Sequence, residues 1–208
     1  MLHFAKPKPT TLDSYLTEQR VLNYSYELVG GTKTNEVPEG FDSDCSRVLL
    51  GYGERVFDAA CQLVREWKMM PRPWTAVYPA KVQLVPEAAV VVIARAFCCW
   101  WSNSARIVYT VDQQVPTKRF GFAYGTLPGH VETGEERFLV EWDSLTDQVW
   151  YELVSFSQPR HPLVRWAYPL ARRLQAKFAR ESSAQMKRLV DEAIRSSSNS
   201  PTATHASV

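Results

Sequence analysis

The sequence predicts an α+β fold in which a curved antiparallel sheet of about six to seven strands wraps a long C-terminal helix. Three observations predict it: a run of short strands fills the middle of the chain, one long amphipathic helix follows, and that helix alone is long enough to cover the sheet. At 208 residues, 45% of them hydrophobic and 22% charged, the chain can bury the core of one domain.

The first part of the chain predicts an arm, a strand and a helix. Residues 1–20 are rich in proline and threonine, then polar, and indicate a flexible N-terminal arm. Residues 46–50 form a short apolar run that predicts a strand. Residues 53–69 predict a helix that Pro71 and Pro73 end, and its apolar face consists of Phe57, Ala60, Cys61, Val64 and Trp67.

The middle of the chain predicts the rest of the sheet. Its segments either alternate apolar with polar side chains or form short apolar runs, and turn residues separate them. The predicted strands are residues 81–85, 88–99, 105–111, 119–126, 136–142 and 149–156.

The last element is a predicted helix over residues 161–195, with Pro162 in its first turn and a kink at Pro169. One stripe of this helix is apolar and predicts the face that packs on the sheet: Leu163, Ala167, Leu170, Leu174, Phe178, Leu189 and Ala193. The opposite face is basic and is expected to face solvent: Arg165, Arg172, Arg173, Arg180 and Lys187.

These elements define a single domain over residues 21–195, followed by a Ser-, Thr- and Asn-rich segment at 196–208 that predicts a disordered tail. No apolar run approaches the roughly 20 residues that cross a bilayer. The N-terminal residues lack the apolar stretch of a secretory signal. A cytoplasmic protein is therefore expected.

The sequence carries no strong catalytic or metal-binding signature. Gly51-Tyr-Gly-Glu-Arg-Val lacks the third glycine of a dinucleotide fingerprint and the Gly-Lys-Ser/Thr of a P-loop, so it predicts a tight turn into a helix. No Gly-x-Ser-x-Gly motif is present, and the four cysteines show neither metal-type spacing nor a disulfide framework. We expect buried, reduced thiols, no metal and no cofactor, which favours a binding protein over an enzyme.

The stretch from Phe120 to Glu136 is the most promising for chemistry. Gly121, Ala123 and Gly125 share one face of a strand, which allows either close backbone packing or space for a ligand. The following turn and strand hold weak candidates for acid/base chemistry: His130, Glu132 and Glu135. A turn stabilised by a His–Glu hydrogen bond is the simpler interpretation. Glu135 and Glu136 are expected to point to opposite faces of the strand.

Several segments resemble the family called domain of unknown function 1990, or uncharacterised protein family 0548. The longest is Phe120-Gly-Phe-Ala-Tyr-Gly-Thr-Leu-Pro-Gly-His-Val-Glu-Thr-Gly-Glu-Glu-Arg-Phe, and shorter ones are Asn23-Tyr-Ser-Tyr-Glu-Leu-Val-Gly, Arg47-Val-Leu-Leu-Gly-Tyr-Gly-Glu and Ser155-Phe-Ser-Gln-Pro. The resemblance covers roughly residues 23–190. It implies a START-like, or Bet v 1-like, helix-grip fold, and fold-level analogy favours a pocket for an apolar ligand.

Three functional hypotheses follow. The leading one is a non-enzymatic protein that binds an apolar or amphipathic small molecule between sheet and C-terminal helix, in a cavity lined by Tyr109, Phe122, Tyr124, Tyr151, Leu170 and Leu174. The second is an enzyme that uses His130 with Glu132 or Glu135.

The third hypothesis is weak contact with an anionic membrane surface through Arg172 and Arg173. Residues 160–195 hold nine Lys or Arg against three Asp or Glu, which concentrates positive charge in the last helix. No motif indicates nucleic-acid binding.

Overall fold

A computed structural model describes residues 1–115 and 117–198, and within them the chain forms eight strands and five helices. In chain order these are β1 (Leu2–His3), α1 (Pro9–Gln19), α2 (Gly31–Thr34), β2 (Asp42–Tyr52), α3 (Glu54–Arg65), β3 (Thr75–Tyr78), β4 (Ala89–Ala96), β5 (Cys99–Gln113), β6 (Lys118–Thr126), β7 (Glu132–Asp143), β8 (Gln148–Pro159), α4 (Pro162–Trp166) and α5 (Tyr168–Ser198).

All strands belong to one antiparallel sheet with the order β2-β8-β7-β6-β5-β4-β3, and β1 pairs with the start of β5. From β3 to β8, each strand pairs with the next one in the sequence. β2 pairs with β8 and forms the other edge of the sheet. The predicted α+β architecture of a curved antiparallel sheet with a long C-terminal helix is confirmed.

The sheet has two covered faces. The inner face packs against α3 and α5, and the outer face packs against α1 and α2. Alternation along each strand assigns side chains to these faces, so that Phe138 on β7 points inward and Arg137 points outward. The larger hydrophobic core lies on the inner face, and a smaller one lies beneath α1.

The segment after α3 fills the middle of the inner face. Trp67, Met69 and Met70 are all buried there. The Trp67 ring lies 4.6 Å from the Phe122 ring and stacks on the Tyr124 ring at 6.4 Å. Protein side chains therefore occupy the place where an apolar ligand was expected to sit.

Residues 1–20 are not a loose arm. Leu2 and His3 pair with β5, and Pro9–Gln19 form a helix on the outer face. Leu12 and Tyr15 are buried against Val91 and Ile93 of β4. The prediction was wrong because only two side chains of the short helix are buried, which is too few to create a visible apolar period.

The sheet differs from the prediction in one predicted strand that does not form and in one strand that was not predicted. Residues 81–85 were predicted to be a strand but form none, although Val82 and Leu84 pack against the inner core. The strand of this region is Thr75–Tyr78, which pairs with β4. It lies among prolines and has only four residues, so it shows no clear strand pattern in the sequence.

The C-terminal helix is divided in two near the predicted kink at Pro169, and it presents a different face to the sheet than predicted. α4 ends at Trp166 and α5 begins at Tyr168, because Pro169 has no backbone N–H to continue the hydrogen bonds of α4 and is tolerated only in the first turn of a helix. α5 continues to Ser198, so residues 196–198 of the predicted tail are helical, whereas residues 199–208 lie outside the described residues.

The predicted apolar stripe is largely exposed at its start, where Leu163 is 55% and Leu170 is 40% exposed. Arg172 and Lys187, expected to face solvent, instead donate to Asp44 and to the Leu50 carbonyl of β2. The reason is that the inner face near Asp44 is acidic, so the basic side of the helix packs against it.

The cysteines are free, but only Cys61 among them is fully buried, and burial raises the pKa of its thiol to about 12. Cys45 and Cys98 are exposed, which corrects the expectation of buried thiols. Over residues 1–115 and 117–198, no group of three or more His, Cys, Asp or Glu could hold a metal ion. In the same residues, no helix is long and apolar enough to cross a membrane.

Candidate functional site

The structure does not bring the predicted ligand-binding residues together. Phe122 and Tyr151 are fully buried in the inner core, and Tyr124 is 6% exposed beside Trp67. The Tyr151 hydroxyl shares a 2.8 Å hydrogen bond with Ser182 of α5. These three side chains are parts of a packed interior, so they do not line an open apolar cavity.

The remaining members of that set lie elsewhere. Tyr109 points to the outer face, where its hydroxyl shares a 2.7 Å hydrogen bond with Thr32 of α2. It points outward because the register of β5 shifts between Ile107 and Tyr109, which reverses the alternation. Leu170 is exposed and Leu174 is half-buried on α5.

Two surface pockets lie on the outer face. One, of about 460 Å³, is lined by polar side chains at the Asp143 end of β7, and the other, of about 200 Å³, lies beside α2. In the first pocket, Glu141 accepts hydrogen bonds from both Arg47 and Arg119, so the charged side chains there are paired with one another. Neither pocket contains a predicted ligand-binding residue.

The small residues of β6 serve close packing. A Cβ atom at Gly125 would lie 2.1 Å from the Tyr26 hydroxyl, and one at Gly121 would lie 2.1 Å from the Phe138 carbonyl oxygen. Ala123 between them is fully buried. Of the two interpretations of this face, close approach of protein groups is the one observed, since no space remains for a ligand.

His130 does not form an acid/base pair with either predicted carboxylate. Its Nδ1 lies 3.0 Å from the backbone nitrogen of Glu132, an arrangement that stabilises the turn before β7. Burial lowers the pKa of His130 to about 3, so the ring is neutral. The carboxylates of Glu132 and Glu135 lie on opposite sides of the sheet. Within residues 1–115 and 117–198, His130 therefore makes no hydrogen bond to the carboxylate of Glu132 or Glu135.

Glu135 anchors the α2 loop to the outer face. Its carboxylate accepts hydrogen bonds from the Tyr26 hydroxyl at 2.7 Å, from the Gly30 amide at 2.7 Å, and from the Thr32 amide and hydroxyl. It is 2% exposed. A buried carboxylate with this many donors is fully satisfied, and it holds the structure together without being available for chemistry.

A different group of polar side chains meets on the inner face, where β2, β7 and β8 lie beneath the N-terminal half of α5. We call this region the polar cleft. It is lined by Asp42, Asp44, Glu132, Glu136, Ser157, Arg172 and Gln175, all of which remain half-buried. Here the helix does not seal the sheet with apolar side chains.

Two carboxyl groups of β7 form the centre of the polar cleft. Gln175 of α5 donates to Glu132 Oε2 at 2.8 Å and to the Ser157 hydroxyl at 2.7 Å. The Tyr124 hydroxyl donates to Glu136 Oε2. Within residues 1–115 and 117–198, the Oε1 atom of each glutamate accepts no hydrogen bond. Each carboxyl therefore has one oxygen free for another partner.

The environment makes both glutamates poor acids. Burial is the main cause that raises the pKa of Glu132 to about 7, opposed by the Gln175 hydrogen bond. Burial likewise raises the pKa of Glu136 to about 7, and the negative charge of Glu132 adds to the effect. With pKa values near 7, each carboxyl is divided between its neutral and its charged form at neutral pH.

The rim of the polar cleft is an ion-paired network with α5. Arg172 binds both oxygens of Asp44, at 2.6 and 2.7 Å. The Tyr168 hydroxyl donates to Asp42 at 2.7 Å. The bidentate geometry fixes Arg172 over β2 and raises its pKa. Of the two side chains predicted to contact a membrane, Arg172 is thus ion-paired with β2 and Arg173 is exposed.

Sequence reasoning missed most of this cleft because it began β7 at Glu136. β7 begins at Glu132, and its alternation places Glu132 and Glu136 on the same face, four positions apart. The expectation that Glu135 and Glu136 point to opposite faces is confirmed. Asp44 had no sequence signal because the predicted strand began at residue 46, and Gln175 had none because the inner face of its helix was assigned to apolar side chains.

An antiparallel sheet that carries a long C-terminal helix over two half-buried carboxyls defines a helix-grip protein with polar side chains between sheet and helix. The sequence profile of "Domain of unknown function (DUF1990)" matches residues 25–185, and the chain belongs to this family, as its motifs indicated.

Three relatives named UPF0548 protein show how far the similarity extends. The protein of Dictyostelium discoideum is 32% identical over 207 residues, covering 91% of this chain and 96% of its own. The one from Deinococcus radiodurans is 33% identical over 84% of this chain and 91% of its own. The one from Arabidopsis thaliana is 32% identical over 70% of this chain and 71% of its own.

Two solved structures are similar at much lower identity. The hypothetical protein jhp0584 from Helicobacter pylori is 14% identical with a TM-score of 0.46, over 74% of this chain and 88% of that one. Ara h 8.0201 is 9% identical with a TM-score of 0.44, over 71% of this chain and 98% of that one.

Proposed function

We propose that the protein binds a small amphipathic molecule in the polar cleft, through a cationic group of the ligand held by Glu132 and Glu136. The observation that carries this proposal is the pair of half-buried carboxyls whose pKa values are both raised to about 7, each with an oxygen that accepts no hydrogen bond from the described residues. Such a pair destabilises the folded chain unless a partner compensates it.

Charge supports a cationic partner. Four acidic residues, Asp42, Asp44, Glu132 and Glu136, surround the polar cleft. Arg172 of α5 pairs with Asp44 at 2.6 Å and with Asp42 at 3.9 Å, and within residues 1–115 and 117–198 it forms no ion pair with either glutamate. A protonated amine between the two glutamates would favour their charged forms and lower both pKa values. Binding at neutral pH therefore releases protons.

The surroundings also suit an apolar body on the ligand. The Tyr124 and Phe178 rings both lie beside the buried Phe138 ring, at 5.6 and 6.5 Å, so aromatic side chains border the glutamates. Phe178 and Leu174 on α5 are half-buried, which leaves apolar surface near the carboxyls. A ligand with one charged end and one apolar end matches this arrangement.

Titration calorimetry with three probes of equal chain length tests the proposal: octylammonium, octanol and octanoate. We expect octylammonium to bind most tightly at pH 7 and to release protons, which buffers of different ionisation enthalpy reveal. Glu132→Gln and Glu136→Gln each remove one negative charge and should weaken octylammonium binding by on the order of tenfold or more.

Glu192→Gln is the matched control, since Glu192 lies on the exposed side of α5 and pairs with Arg188. It should leave binding unchanged. Equal binding of octanoate and octylammonium, or equal losses in Glu192→Gln and Glu136→Gln, would contradict a cation site in the polar cleft.

A further inference from the structure

We propose that one end of the molecule docks on the surface of a bilayer that contains anionic phospholipid. This amphipathic end consists of the N-terminal eight residues, the turn between β4 and β5, and α4 with the residues before it. Its exposed apolar side chains are Phe4, Phe97, Leu163 and Trp166, and its exposed cations are Lys6, Lys8, Arg95, Arg160 and Arg165.

The three segments meet although they are far apart in sequence. β1 pairs with the start of β5, which places His3 opposite Trp100. Lys6 and Arg95 both lie over the Trp100 ring, at 5.8 and 5.9 Å from its centroid. These contacts join the N-terminal residues to the β4–β5 turn.

α4 is connected to the same place. The Trp101 ring, next along β5, packs edge-to-face on the His161 ring at 5.7 Å. His161 is the N-cap of α4, and its ring nitrogen accepts from the Leu163 amide. The exposed side chains of α4 therefore project from the end that carries the β4–β5 turn.

The apolar side chains at this end are unusually exposed. Phe4 is 89% exposed, Trp166 is 88%, Leu163 is 55% and Phe97 is 53%. Aromatic side chains with Leu, flanked by Lys and Arg, are typical of protein surfaces that lie in the interfacial layer of a bilayer. In water, exposing several large apolar groups together is unfavourable, which indicates that a partner covers them.

Charge identifies the partner. Residues 1–8, 95–104 and 158–174 contain no Asp or Glu. The nearby Asp42 and Asp44 lie beneath α5, where Tyr168 and Arg172 engage them. Anionic lipid headgroups are complementary to such a surface. A second copy of the chain is not, because pairing the same ends would bring like charges together.

Co-sedimentation of the full chain with vesicles tests this surface. One set of vesicles is phosphatidylcholine alone, and the other is phosphatidylcholine mixed with phosphatidylserine. We expect binding to the anionic vesicles that weakens as salt is added. Arg160→Glu with Arg165→Glu should reduce binding at least tenfold, since each cation near an anionic surface contributes about fivefold. Phe97→Ser with Trp166→Ser should reduce it to a similar extent.

Matched controls lie at the opposite end of the sheet. Leu145 is 95% exposed in the β7–β8 turn, and Arg55 is exposed where α3 begins beside that turn. Leu145→Ser and Arg55→Glu should bind vesicles as the unmodified chain does. Equal binding to both vesicle types, or equal losses in the control variants, would overturn the proposal. A dimer that forms through Trp166 without lipid would overturn it as well.

Discussion

Glu132 and Glu136 show how position along one strand decides the chemistry of a side chain. Glu135, on the same strand, accepts several hydrogen bonds on the outer face, and its carboxylate is fully used. Glu136 accepts one, from Tyr124, and it feels the negative charge of Glu132 on the same face of β7. One step along the strand thus separates a structural carboxylate from an available one.

The raised pKa of Glu136 predicts how stability depends on pH. The folded chain holds the Glu136 proton up to about pH 7, whereas the unfolded chain releases it near the ordinary value of 4.5. The contribution of the Glu136 proton to the free energy of unfolding is therefore fully present below about pH 4.5. It falls as the pH rises toward 7, by on the order of 3 kcal/mol. Glu136→Gln should remove this part of the loss, and urea unfolding at pH 5 and pH 8 measures it.

Glu39→Gln serves as the comparison because Glu39 is exposed in the loop before β2. The variant should lose as much stability between pH 5 and pH 8 as the unmodified chain does. If Glu136→Gln shows that same loss, then the Glu136 carboxyl does not hold a proton in the folded chain near neutrality.

At the scale of elements, α5 is attached to the sheet through its C-terminal half. Ser182, Ser183, Met186 and Val190 are buried there, against β2, β8 and α3. The N-terminal half lies over the polar cleft and is held by the Arg172–Asp44 ion pair. One helix therefore serves both as a core element and as the cover of a polar site.

This division predicts unequal effects of truncating α5 side chains. Met186→Ala should lower the free energy of unfolding by about 2–5 kcal/mol, because it opens a cavity in the packed core. Leu170→Ala should change it by less than about 0.5 kcal/mol, since Leu170 is 40% exposed. Urea unfolding followed by circular dichroism compares the two. Similar losses would mean that the predicted apolar stripe does face the sheet.

At the scale of the whole molecule, residues 1–20 belong to the folded domain. Tyr15 donates to the Gly129 carbonyl at 2.7 Å, which links α1 to the turn before β7. Gln19 accepts from the Gly129 amide at 2.7 Å. α1 thus covers the outer face of β4 and also supports the turn that leads to Glu132.

Leu12→Ala should consequently lower the free energy of unfolding by about 2–5 kcal/mol, as expected for a buried leucine. Val21→Ala is its control, because Val21 is 77% exposed just after α1. Thermal unfolding of both variants measures the difference. An unchanged unfolding temperature in Leu12→Ala would restore the interpretation of residues 1–20 as a flexible arm.

The sequence by itself determined the α+β class, most strands of the sheet, the helix after β2 and the break near Pro169. These follow from local alternation, helical periodicity and proline stereochemistry, which neighbouring residues in the chain already specify. The family was also determined, since the motif at residues 120–138 is read directly from the chain.

Only the tertiary structure decided which helix face meets the sheet and which carboxyls lie beneath the helix. The amphipathic stripe of α5 pointed to Leu163 and Leu170, yet the acidic inner face near Asp44 selects Arg172 instead. Glu132 and Glu136 both lie beneath α5 because β7 begins at Glu132 and Gln175 of α5 lies above it. Such choices depend on the charge and shape of a distant partner surface, which local periodicity does not encode.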